Sequence, residues 1–146
     1  MKIFIGADHN GFEIKEKLEG YLTLEGHEVV DQGDIDLKPD DDFPMYAANV
    51  ATAVLAEAGS KGILLCGSGQ GVCMAANRYK GIRASLVWDQ DEAKSSRNDD
   101  DANIICLPAS KLTYEQAEKL VDIWLATPFA GAARYQRRIK QLDELN

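Results

Sequence analysis

The sequence predicts an α/β protein, a three-layer α/β/α sandwich of Rossmann-like type built on a five-stranded parallel sheet. Two observations carry this expectation. Short apolar runs alternate with segments of helical period along the chain, the pattern left by parallel strands joined through crossover helices. The run Ile63-Leu64-Leu65 also ends at Cys66 in alternate glycines, Gly67, Gly69 and Gly71, and then turns small and apolar again, as a strand, a tight turn and a helix start would. At 146 residues the chain has the length of one domain, residues 1–146, able to bury about two-thirds of its unfolded surface in a single core.

Each element has its own signal. Ile3-Phe4-Ile5 is an apolar run closed by the polar Gly6–Gly11 stretch, and Ile14, Leu18, Tyr21 and Leu22 then recur at helical spacing until Gly26 stops the helix. His27–Val30 reads as the second strand, and the Asp-rich Asp31–Asp42, with Pro39, as a polar loop without internal period. Pro44 suits the first turn of an alanine-rich helix reaching about Ala58. After the strand to Cys66 come a helix from Gly71, a strand Arg83–Trp88 and a helical patch Asp91–Arg97. Ile104–Leu107 is the fifth strand, and Thr113–Leu125 is amphipathic, with Ala117, Leu120, Val121 and Trp124 on one face. The tail from Pro128 adds a basic helix with an apolar, alanine-rich face, expected to serve in dimerisation.

Composition excludes several function classes. The formal charge is −8, whereas nucleic acids and anionic membranes require a surplus of Lys and Arg on one face. A small anionic ligand stays compatible if basic groups gather locally. The three cysteines, Cys66, Cys73 and Cys106, lack paired spacing, so they do not read as a disulfide framework and a cytoplasmic location is expected. The opening MKIFIGADHNG holds too short an apolar window for a secretion signal, and no run approaches a membrane span.

Chemistry is expected around Cys66. Glycines let a backbone approach a ligand closely, the first N–H groups of a new helix favour an anion, and a thiolate is the form of cysteine that acts as nucleophile or base. Cys66 could instead be a small buried strand residue; the glycine turn is what argues for a site. In an open parallel sheet ligands sit beyond the carboxyl ends of strands, which brings Asp8 and His9 of the first strand toward Cys66 and Ser68 of the third. The segment Asn98-Asp99-Asp100-Asp101 before the fifth strand is a further polar candidate. Arg134 and Arg138, four apart on the tail helix, could clamp a phosphate or carboxylate, although a solvated helix face explains them as well.

Other motifs fail on spacing. Counting from Gly67, the sixth position is Val72, so the dinucleotide fingerprint is absent, and no P-loop follows. His9 and His27 form no ligand pair with the cysteines, and Asp99–Asp101 lacks the glycine and terminal glutamate of a calcium loop, so neither metal nor cofactor is expected.

Five stretches together carry a family resemblance. ADHNGFEIKEKL from Ala7, DFP from Asp42, GILLCGSGQGVCMAANRYKGIRASL from Gly62, DAN from Asp101 and FAGAARYQRRI from Phe129 are similar to the type B ribose-5-phosphate isomerases, a family that also holds the galactose-6-phosphate isomerase subunits. The resemblance implies metal-independent isomerisation of a phosphorylated sugar through an enediolate, with Cys66 as base and Ser68 polarising the thiol. It further implies N–H groups near Gly67, Gly69 and Gly71 at the enediolate oxygen, and Asp8 and His9 on sugar hydroxyls and phosphate. Tyr46 would line the pocket, Arg134 and Arg138 would hold the phosphate, and the site would lie at the interface of a homodimer or dimer of dimers.

Two segments depart from the family pattern, at three positions. Where its members read S-R-x-H-N-D-A-N, this chain has Asp99 for the ring-opening histidine and Asp100 for the asparagine beside it, and Ser110 replaces an arginine of L-x-A-R. A carboxyl group at its reference pKa is a poor proton donor at neutral pH. A carboxylate about 4 Å from a phosphate charge also costs roughly 4 kcal/mol at an effective dielectric near 20. Two further classes therefore stand beside the isomerase: a half-site subunit needing a paralogous partner, and a sugar-phosphate-binding sensor.

Overall fold

The computed structural model describes residues 1–145, so Asn146, the last position of the expected domain, lies outside the described residues. The strands are β1 (Lys2–Ala7), β2 (Glu28–Asp31), β3 (Lys61–Cys66), β4 (Ala84–Leu86) and β5 (Ile104–Pro108), all parallel in the order β2-β1-β3-β5-β4. The helices are α1 (Phe12–Leu24), α2 (Phe43–Ala56), α3 (Gln70–Ala76), α4 (Gln90–Asn98), α5 (Tyr114–Ala126) and α6 (Ala133–Asp143). The α/β/α expectation holds, and most boundaries fall within about two residues of the sequence reading. The fourth strand is the shortest against its expectation: it closes at Leu86 because Asp89 caps α4 by accepting the Glu92 N–H at 2.9 Å.

Strand alternation sorts the core into two layers. Ile3, Ile5, Ala7, Ile63 and Leu65 face α1, α4 and α5, whereas Phe4, Leu64 and Cys66 face α2 and α3. Trp124 of α5 is fully buried in the first layer, with the Arg97 guanidinium 5.7 Å from its ring centre. Trp124→Ala is expected to cost about 3–5 kcal/mol and to lower Tm by roughly 10 °C, as thermal unfolding would register.

Two further features bear on the site. Lys15 of α1 is buried against Phe12 and pairs with Asp31 at the end of β2 and with Glu16. At the opposite margin Asn77, the residue closing α3, donates to the Ala84 carbonyl and accepts the Ala84 N–H, each at 2.8 Å. Cys73 donates its thiol to the same carbonyl at 3.3 Å. Helix α6 buries none of its described residues. Among the described residues no helix is long and apolar enough to cross a membrane.

Candidate active site

Strand order reverses at β1, which has β2 on one side and β3 on the other. Loops leaving two such strands diverge to opposite faces and open a crevice at their carboxyl ends. Asp8 stands there, its N–H on the Leu65 carbonyl at 3.3 Å. One Asp8 oxygen, Oδ1, accepts the N–H groups of Asn10 at 2.9 Å and Gly11 at 3.3 Å, which starts α1. Cys66 ends β3 beside it, only 5% exposed. The Ala109 and Ser110 N–H groups donate to the carbonyls of Cys66 and Gly67, both at 2.9 Å, and so tie the glycine turn to the end of β5.

The turn requires its glycines. Gly69 has φ +71°, and a Cβ there would meet the Leu107 and Pro108 backbone at 3.0 Å, so no side chain fits without moving the strand end. At Gly71 a Cβ would fall 2.7 Å from the Phe43 ring, which lies across the start of α3. Ser68 is exposed, and its Oγ accepts the Gln70 N–H at 3.3 Å, so this hydroxyl helps to start α3.

The Asp-rich loop closes the other side. Tyr46 of α2 is buried, and burial, then the Asp41 carboxylate, push its hydroxyl up to about 12. His9 is held by Asp41, which accepts from the backbone N–H at 2.9 Å and contacts Nδ1 at 2.7 Å. That bond raises the imidazole pKa, burial opposes it, and the charges of Asp8, Asp41 and Asp40 add to the rise.

Asp99, Asp100, Arg134 and Arg138 form a second group elsewhere. The acidic segment precedes β5, where the Asn103 carbonyl accepts the Gly62 N–H at 2.9 Å, whereas Cys66 is in register with Pro108 at the far end of that strand. Four residue steps, about 13 Å, separate the two ends of β5. This segment therefore does not reach Cys66 within one chain, because whatever leads into a parallel strand lies at the amino edge of the sheet.

That amino edge has an internal order. Asp101 bridges Arg97 at 2.6 Å and Arg83 at 3.2 Å, while Asn98 donates to Asp99 at 2.7 Å. Burial and then the Asp99 charge raise the Asp100 carboxyl pKa, with Arg138 and Arg83 opposing. Arg134 is exposed and donates to the Tyr135 hydroxyl at 2.9 Å. Asp100 and Arg138 line a groove of about 470 Å³ between the β4 edge and α6, together with Arg83, Ile139 and Leu142.

The crevice thus offers a thiol, N–H groups, a carboxylate and an imidazole, a set suited to moving protons on a polar substrate. Sequence reasoning missed two of its members, Asn10 and Asp41, and marked a third, Ser110, only as a departure. Asn10 lies 3.1 Å from His9 Nε2, Ser110 Oγ would be 3.3 Å from a Cβ at Gly67, and Asp41 holds His9. Asn10 stands at a position inside the ADHNGF stretch that the resemblance assigns no role, and Asp41 has neither motif nor period to single it out. Among the described residues one carboxylate cluster has the spacing of a metal site, Glu16, Glu19 and Asp31, and the Lys15 ammonium already pairs with two of these three.

Comparison with known proteins gives one consistent result. The profile of the Ribose/Galactose Isomerase family matches residues 3–142. The chain is 38% identical over 144 residues to ribose-5-phosphate isomerase B of Mycobacterium tuberculosis, covering 99% of this chain and 89% of that protein. It is similar to a solved ribose 5-phosphate isomerase from Thermotoga maritima, with a TM-score of 0.94, 44% identity, and 99% and 98% of the two chains covered. Ribose-5-phosphate isomerase B from Mycoplasma genitalium, solved with bound ribulose-5-phosphate, gives a TM-score of 0.94 at 39% identity over 98% and 94% of the chains.

Proposed function

The chain belongs to the ribose/galactose isomerase family, and on that premise we propose that it interconverts the aldose and ketose forms of a phosphorylated sugar. Its substrates are ribose 5-phosphate and ribulose 5-phosphate or a related pentose or hexose phosphate. The observation that carries this reading is the meeting of Cys66, its glycine turn, Asp8 and His9 at the carboxyl ends of β1 and β3.

The chemistry follows from those groups. Cys66 as thiolate takes the proton from the carbon alpha to the carbonyl, leaving an enediolate, and returns it to the neighbouring carbon. A proton moves between the two oxygens at the same time, so substrate and product are isomers. The N–H groups near Gly67, Gly69 and Gly71 stabilise the oxygen that gains charge, a role that elsewhere falls to a metal. Ser68 assists the thiol, Asp8 through its second oxygen and Tyr46 line the sugar, and His9 meets the phosphate end.

Arg134 and Arg138 clamp the phosphate and Asp99 serves ring opening, with Asp100 beside it, but all four stand at the amino edge of their own chain. A complete site therefore takes them from a second copy, as a homodimer or dimer of dimers with α6 at the interface. Free thiols at Cys66, Cys73 and Cys106 suit the cytoplasm. The carboxylates Asp99 and Asp100 favour a second reading, a half-site subunit whose paralogous partner supplies the ring-opening group.

A panel of pentose phosphates, hexose phosphates and free sugars presented to the purified protein tests the proposal. Turnover of at least one sugar phosphate by the chain alone is expected. Inactivity throughout would overturn the isomerase reading, and ligand-induced thermal stabilisation without turnover would identify a sensor.

A further inference from the structure

The Asp-rich loop between β2 and α2 has no motif, yet it buries two carboxylates, Asp34 and Asp41, and of these Asp41 is the one bonded to His9. The Asp41 side chain is 4% exposed. Its Oδ1 accepts the His9 backbone N–H at 2.9 Å and lies 2.7 Å from His9 Nδ1, while Oδ2 is buried without a hydrogen-bond partner. A carboxylate only accepts, so Nδ1 carries a proton and Nε2 is the ring atom left to the crevice. Asn10 Nδ2 stands 3.1 Å from that Nε2, as a donor to the neutral ring. When Nε2 is protonated, the Asn10 amide must turn its oxygen inward or yield its place to another acceptor.

We propose that Asp41 is the positioning residue for His9: it fixes the orientation and tautomer of the ring from below and keeps Nε2 available as a charged donor to an anionic group of the substrate. This rests on the sugar-phosphate reading above. The His9 pKa is raised, first by its bond to Asp41; burial acts most strongly on Asp41 and upward, but the two bonds from His9, with the Tyr46 hydroxyl and the His9 charge, together lower its pKa. The other groups facing the pair are Asp8 from the end of β1, Asp40 from the loop and Tyr46 from α2. Behind Tyr46 stands Asp34, which Lys38 pairs at 3.4 Å. The carboxylates among them push His9 in the same direction as Asp41, but of these carboxylates only Asp41 bonds to the ring. Anion affinity is thus greatest below the raised His9 pKa and declines as the pH climbs through it.

The test uses the fact that the chain has two histidines, His9 and His27. NMR titration of the ring protons, assigned with His27→Gln, is run on wild type and Asp41→Asn, with and without inorganic phosphate. In Asp41→Asn the His9 midpoint is expected to fall toward its ordinary value, and phosphate is expected to shift it less than in wild type. KM for the sugar phosphate is expected to rise about tenfold near neutral pH, the worth of one charge-assisted bond, with kcat within about threefold. An unchanged His9 midpoint, or a fall in kcat at constant KM, would overturn the assignment.

If Asp41→Asn does not fold, nitrogen-15 shifts of the wild-type ring decide instead. A proton on Nδ1 in the neutral state is expected, and one on Nε2 alone overturns the proposal. Should the wild type turn over no sugar phosphate, the isomerase reading falls by itself, and the His9 titration with inorganic phosphate still decides the role of Asp41.

Discussion

Cys66→Ala is expected to lower kcat by about 10²–10⁴-fold, the range that a positioned general base contributes, while Tm moves little. The substitution removes one sulfur from a residue at the end of β3, at a cost of about 1 kcal/mol. The other two thiols serve as controls. Cys106 is fully buried, and burial followed by the neighbouring Cys73 holds its thiol well above the usual range, so it stays protonated. Cys73 is drawn the other way by its bond from Cys106, against burial, but it lies under the β4 edge and not on the glycine turn. Cys73→Ala is therefore expected to retain most activity. Steady-state kinetics on both variants, with circular dichroism for the fold, make the comparison, and a Cys66→Ala enzyme within tenfold of wild type would remove the cysteine base from the mechanism.

The second large effect concerns two variants at once. Cys66→Ala and Arg138→Ala, each nearly inactive alone, are expected to regain about a quarter of wild-type activity when unfolded together and refolded as an equal mixture. If each site takes Cys66 from one copy and Arg138 from the other, half of the dimers are hybrids, and each hybrid has one site carrying both changes and one carrying neither. A mixture no more active than its components would show that the two residues serve one site within a single chain, or that Arg138 does not serve the site. Recovery would also count against the half-site reading, since no paralogue is present.

Much of this arrangement was legible in the residues. The apolar runs at Ile3–Ile5, Ile63–Leu65 and Ile104–Leu107 became buried parallel strands because both of their faces are covered, which removes any polar alternation. Asp8, His9 and Cys66 converge because β1 and β3 are adjacent and parallel. What stayed hidden depended on the third dimension. The loop holding Asp41 is rich in like residues, and only the folded backbone selects which carboxylates, Asp34 and Asp41, turn inward. The distance between Cys66 and Asp99 was by contrast implicit in the expected parallel sheet, in which a segment leading into the fifth strand lies at the edge opposite the end of the third. The end of the fourth strand was obscured because Val87 and Trp88 have strand propensity, while the cap at Asp89 decides the boundary.

The margin of the sheet at β4 has a consequence for the behaviour of the protein in bulk. A bare edge strand offers its N–H and C=O groups to any passing chain and is the usual starting point for fibrils. Here the start of the edge is already engaged: the Asn77 amide takes both groups of Ala84 as a neighbouring strand would, and the Cys73 thiol donates to the same carbonyl. The first residue of the last strand is thereby covered by the helix that begins at the glycine turn, which shortens the template that this edge offers to another chain.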